Sequence, residues 1–144
     1  MQQTMTKTAD TVYQYINSRL RYKTGPGEIA QESDEQPGLM ADLLEYLMPA
    51  LEDKIESELR RDECKSQARK KIRVDCAQRN TKEPAAEAFK ALVEDDEDVI
   101  TAEREFAKAR IEYQRWDELK DALGSREKAL QRRIELLKVG FASA

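Results

Sequence analysis

The side chains in this chain that could do chemistry are few in kind. Its 144 residues include no histidine, which removes imidazole bases, Ser–His and Cys–His nucleophile pairs and most zinc sites together. Cys64 and Cys76 stand twelve apart on what reads as one helix. That is about 18 Å of rise, too far for a mutual disulfide, so they read as reduced thiols of a cytoplasmic protein. The run Glu94-Asp95-Asp96-Glu97-Asp98 offers carboxylates without the ligand ladder and central glycine of an EF-hand. Its simpler role is negative charge at a helix N-terminus, where it complements the macrodipole. No glycine-rich phosphate loop, Walker lysine, CxxC pair or HExxH motif is present. The expectation is a protein with no catalytic residue, cofactor or metal.

What remains is binding chemistry, and here the placement of charge says more than its total. The net charge of −4 would not point to nucleic acid. By segment, residues 1–26 carry +3, 27–58 carry −9, 60–82 carry +6, 83–98 carry −6 and the remainder +2. The basic segment holds Arg60, Arg61, Lys65, Arg69, Lys70, Lys71, Arg73, Arg79 and Lys82. A basic block between two acidic ones is a localised phosphate-binding footprint, or else a docking stripe for another protein. An ordinary solvated helix face would mix its signs. No aromatic lies between Tyr46 and Phe89, so phosphate contacts should dominate over base stacking, with little sequence preference and steep salt dependence. The residues expected to bind DNA are Lys65, Arg69, Lys70, Lys71, Arg73 and Arg79.

The elements that must position these groups read as helices throughout. Charged residues make up 38% of the chain and aromatics 6%, a composition that suits long helices completing their core by pairing with other chains. Residues 6–22 can form a short helix with Val12, Ile16 and Leu20 on one face, stopped by Gly25-Pro26-Gly27. An acidic linker comes next, to Pro37-Gly38. From Leu39 a second helix carries Leu43, Leu44, Leu47, Leu51, Ile55 and Leu59, with a kink expected at Pro49. It turns basic beyond Leu59 and fades at Arg79-Asn80-Thr81. This divides the chain into an N-terminal region (1–38), a helical region with the basic segment (39–82) and a C-terminal oligomerisation helix (83–144). No apolar run is long enough for a membrane span, and the N-terminus lacks the apolar stretch of a signal peptide.

The last third has the most regular pattern. Val99, Ala102, Phe106, Ala109, Tyr113 and Trp116 alternate spacings of three and four, as a and d positions of heptads do. Leu123, Leu130 and Leu137 continue the d positions and Ile134 an a position, while Lys120 and Glu127 are polar a residues and Gly124-Ser125 softens the helix. Such a seam must fold back at Gly124 or meet copies of itself, and the reading favours copies. Val99, Phe106, Tyr113, Trp116, Leu123, Leu130 and Ile134 are then oligomerisation residues. Several copies would turn weak individual grips on a strand into a strong joint one.

The stretch Leu59-Arg60-Arg61 through Lys71-Ile72-Arg73-Val74-Asp75 resembles the DNA-binding segment of the UvsY family, the recombination mediators of T-even-type phages. Its core is Lys-x-Arg-hydrophobic-Asp, matched by Lys71, Arg73, Val74 and Asp75. Asp96-Glu97-Asp98-Val99 is similar to the family's Asp-Lys-Asp-Val. Asp121-Ala122-Leu123-Gly124-Ser125-Arg126 with Ala129-Leu130 is similar to its Asp-Ala-Ile-Lys-Ser-Arg followed by Ala-Ile. Order and spacing over residues 55–140 carry the likeness. It implies an all-α fold assembled as a ring-like hexamer or heptamer, and a preference for single-stranded DNA. It also implies a RecA-class recombinase to be loaded, a single-strand-binding protein to be displaced, and the cytoplasm of an infected or lysogenic bacterial host. Cys76-Ala77 stand where the family has two tyrosines, so a stacking role for those is not implied. Two other readings stand beside this one: a coiled-coil scaffold or adaptor acting through protein contacts alone, and, less favoured for want of a helix-turn-helix, a regulator reading duplex DNA.

Overall fold

The computed structural model describes residues 2–21 and 25–142, with side chains at 8–21, 25 and 27–140. The chain is all-helical there: α1 (Gln2–Arg21), a single 3₁₀ turn (Pro26–Glu28), α2 (Ile29–Gln78), α3 (Ala86–Glu94) and α4 (Glu97–Ala142). These residues pack as two units, Met1–Pro49 with Gln114–Ala144, and Ala50–Tyr113. The limits of these units fall inside α2, after Pro49, and inside α4, after Tyr113.

In the first unit, α1 buries Ile16 completely, with Val12 and Leu20 half-buried beside it. Tyr22, the last residue of the expected helix, lies outside the described residues. The break at Gly25-Pro26-Gly27 is the 3₁₀ turn, closed by the Glu28 N–H donating to the Gly25 carbonyl at 3.0 Å. The acidic stretch beyond this turn is helix rather than linker. α2 starts at Ile29 and runs through both Pro37 and Pro49. Its buried positions in this unit are Ile29, Glu32, Gln36, Leu39, Leu43 and Leu47, spaced by threes and fours, and two of them are polar. Both find partners inside the unit, although the Gln36 Oε1 is buried without one. Glu32 accepts from both Arg19 and Arg126, and Gln36 Nε2 donates to the Leu123 carbonyl at 2.7 Å. Burial works against the Arg19 guanidinium, but Glu32 and Glu35 more than offset it and raise its pKa. These carboxylates sit in a helix because they have arginines to meet.

Trp116 is the largest fully buried side chain of this unit. Tyr46 stacks on it at 5.2 Å, and Tyr13 meets it edge-on at 5.5 Å. Leu119, Leu123 and Leu130 are buried along the same helix. The expected heptad register therefore shifts past Trp116. Leu119 and Arg126 turn inward, while Lys120 and Glu127 stay exposed. Two successive steps of three, 113 to 116 to 119, avoid placing Lys120 in the core. α4 is continuous through Gly124.

In the second unit the core joins Ala68, Val93 and Val99, with Cys64, Ile72 and Phe89 against them. Ala102 and Phe106 are also buried. Further inward positions of α2 are taken by long cations. The Lys54 ammonium lies 4.7 Å from the Tyr113 ring centre and the Arg61 guanidinium 4.4 Å from that of Phe106. Their apolar stems cover the rings and their charge sits on the π-face. Ile55 and Leu59, by contrast, are exposed, Leu59 by 65%, as are Leu44 and Met48 of the first unit. α2 ends where the sequence fades. The Thr81 N–H reaches the Cys76 carbonyl at 3.0 Å, the Asn80 N–H reaches Ala77 at 3.3 Å, and Asn80 adopts φ 57°, the two-bond cap with a left-handed residue that asparagine tolerates. α4 opens on Asp96, whose Oδ1 accepts from the N–H groups of Asp98 and Val99 at 3.0 and 3.2 Å.

The residues expected at contacts between copies are thus packed by the chain itself. Val99, Phe106, Trp116, Leu123 and Leu130 are buried, and Tyr113 and Ile134 are half-buried. The seam of α4 packs within the chain as far as Leu130, without a turn at Gly124, while Leu137, the next d position, is exposed.

Candidate nucleic-acid interface

The basic half of α2 lies wholly in the second unit. Ala68, with Cys64 and Ile72 on either side of it, defines the inward line of the helix there. At about 100° per residue, Lys65, Arg69 and Arg73 fall on one flank of that line, at roughly 60°, 100° and 140° from Ala68. Lys70 lies at the rear and Lys71 on the opposite flank. Arg79 stands just past the last helical residue, Gln78. The six cations expected to act together therefore split. Three share a flank, one faces away, one lies across the helix and one sits in the cap.

Their neighbours grade them further. Lys65 is held by Glu103 at 2.7 Å and is mostly covered. Arg73 has Glu83 at 3.8 Å and Lys71 has Asp98 at 3.8 Å, all four side chains well exposed. Arg79 pairs with Asp75 one turn back at 3.3 Å. Contacts of this length between exposed groups contribute little and yield to a competing phosphate. Arg69 and Lys70 are exposed and make no ion pair among the described residues. The motif residues Lys71, Val74 and Asp75 line a shallow depression with Ile72 and Gln78, on the flank away from Arg69. Val74 is exposed, as a residue offered to a partner would be.

Two features escape a reading of α2 alone. α3 returns to the flank of Lys65 and Arg69 and sets Phe89 there, its ring 5.7 Å from the Arg73 guanidinium. The signal was present: Pro84 reverses the chain, and Phe89 and Val93 are spaced four apart, as a short packed helix requires. Leu44, Ile55 and Leu59 were legible as apolar, but not as exposed.

Comparison with protein-family models, with curated proteins and with solved structures finds no match for this chain.

Proposed function

We propose that the chain binds single-stranded DNA along the Lys65–Arg69–Arg73 flank of α2 and acts, as its resemblance to the UvsY family implies, as a recombination mediator in a phage-infected bacterium. It would hold the strand, load a RecA-class recombinase and displace a single-strand-binding protein, with no catalysis of its own. The observation that carries the reading is the state of these cations. They share one flank; Lys65 is mostly covered and held by Glu103, but Arg69 and Arg73 are exposed, and among the described residues Arg69 has no carboxylate partner while Arg73 has only a long one. An array built for internal neutralisation would pair both closely.

The grip of one chain is small, so the reading keeps assembly of several copies, in a ring-like hexamer or heptamer, as the source of strength. Since α4 buries its seam within the chain as far as Leu130, copies would not meet along that stretch. The exposed side of α2 in the second unit supports a contact elsewhere: Ile55 and Leu59, one helical turn apart, stand open to solvent.

The test is Arg69→Ala with Arg73→Ala, read by fluorescence anisotropy of a labelled single strand over a range of salt. Each phosphate contact contributes about 0.7 to the slope of log affinity against log salt, so the pair should lower the slope by about 1.4 for every copy engaged with the strand and, near 0.1 M salt, weaken each engaged copy's grip about 25-fold. An unchanged slope sinks the assignment. The scaffold reading also has an observation behind it, since Lys65, Lys71, Arg73 and Arg79 each have a carboxylate within 4.0 Å. It predicts no shift of a single strand at low salt by an intact oligomer.

A further inference from the structure

We infer that the recess beside Phe89 in the second unit is a subsite for one unstacked nucleobase of the bound strand. This rests on the single-strand reading above and adds to it what the basic segment lacks by itself, an aromatic wall. The recess is about 210 Å³ and is lined by Lys65, Arg69, Phe89, Lys90, Val93 and Glu94. That is space for about seven waters, below the roughly 300 Å³ at which pockets for drug-sized ligands begin, and so fits a flat base rather than a whole nucleotide.

The wall is fixed in advance. Phe89 is half-buried and backed by Ala68, Val93 and Val99, so its ring need not be ordered when a base arrives. The cations at the rim are arranged for the backbone that must accompany that base. Arg69 carries no ion pair among the described residues, Lys90 has Glu94 at 4.0 Å, and Lys65 is oriented by Glu103 at 2.7 Å. Phosphates on either side of the base would meet Arg69 and Lys90 while the base slides against the ring. Glu94 keeps a phosphate itself out of the recess by like charge, and it can accept from an exocyclic amine on the base edge. A duplex cannot use the site, because its bases are stacked and paired. The subsite therefore gives the protein a reason to prefer single strands that a basic face alone does not supply.

The experiment compares a homothymidine strand with an abasic strand of equal length, for the wild type and for Phe89→Leu, which keeps an apolar side chain in the packing and removes the ring. The wild type should bind the thymidine strand at least about fivefold more tightly than the abasic one, the least that stacking of one base contributes. Phe89→Leu should lose that preference and bind the abasic strand as the wild type does, and Phe89→Tyr should restore the preference. Circular dichroism melting establishes that each variant is folded. Should Phe89→Leu unfold, ultraviolet cross-linking of the wild type to a strand carrying 5-iododeoxyuridine decides the matter, with attachment expected on the peptide containing Phe89. Equal binding of both strands by the wild type, or cross-links confined to other peptides, overturns the subsite and leaves the phosphate-binding reading standing. Failure to bind either strand overturns both.

Discussion

Glu32→Ala tests whether the acidic stretch before Pro37 belongs to the core. Glu32 is 4% exposed and accepts from Arg19 and Arg126. The two arginines fare differently when it is removed. Arg19 keeps Glu35 at 2.7 Å, on a more exposed carboxylate. Arg126, 10% exposed, has no other ion pair among the described residues, and its Nη1 is already buried without a partner. Breaking a buried pair by removing one member costs about 3–5 kcal/mol, and with only one cation stranded the lower figure applies. Unfolding entropy near 2.1 cal/mol/K per residue gives about 0.3 kcal/mol/K for a chain of 144 residues, so Tm should fall by roughly 10 °C. Far-UV circular dichroism melts measure this directly. Glu32→Leu with Arg126→Leu leaves no orphaned charge and should lie closer to the wild type than either single change, with a coupling of about 1–3 kcal/mol. A Tm within about 3 °C of wild type for Glu32→Ala, or additivity in the cycle, would show the cluster to be solvated and the reasoning wrong.

Gly124→Ala places a methyl in open space inside a continuous helix, so it should stabilise by about 0.5–1 kcal/mol and raise Tm by about 2–3 °C. Trp116→Ala removes the centre of the first unit and should cost about 3–5 kcal/mol at any protein concentration, read by chemical denaturation. A loss that diluting the wild type reproduces would instead return Trp116 to a contact between copies. Ile55→Glu with Leu59→Glu should lower the oligomeric mass by light scattering while leaving helicity and Tm nearly unchanged, since both side chains are exposed in the single chain. An unaltered mass would show that copies do not meet there.

The helical class, the break at Gly25-Pro26-Gly27, the end of α2 and the start of α4 were all legible, because each rests on local chemistry: a proline, an asparagine in a left-handed cap, an aspartate accepting from two N–H groups. The extent of α2 was not. Its register passes through Glu32, Gln36, Lys54 and Arg61, and polar residues at inward positions are readable only once their partners, Arg126, the Leu123 carbonyl, Tyr113 and Phe106, are seen across the unit. Of the apolar residues along α2, Leu43 and Leu47 are buried while Leu44, Ile55 and Leu59 are exposed, a division that their spacing alone does not give. In α4 a strict heptad continues to Lys120, whereas the chain takes a second step of three to reach Leu119. Whether a good seam is closed by a copy or by the chain itself is a question of tertiary pairing, and no periodicity answers it. For the candidate site, the cations were all visible in the sequence. Their division between flanks comes from helical geometry once Ala68 is known to face inward, and Phe89 entered only with the fold.

Native mass spectrometry of the full chain, with and without a homothymidine strand, bears most directly on the claim that many weak cationic contacts are held together by assembly. The mediator reading predicts a closed oligomer, hexamer or heptamer, that takes up the strand as one particle and releases it as salt rises. A monomer that ignores the strand at low salt, or an oligomer that does, would contradict it.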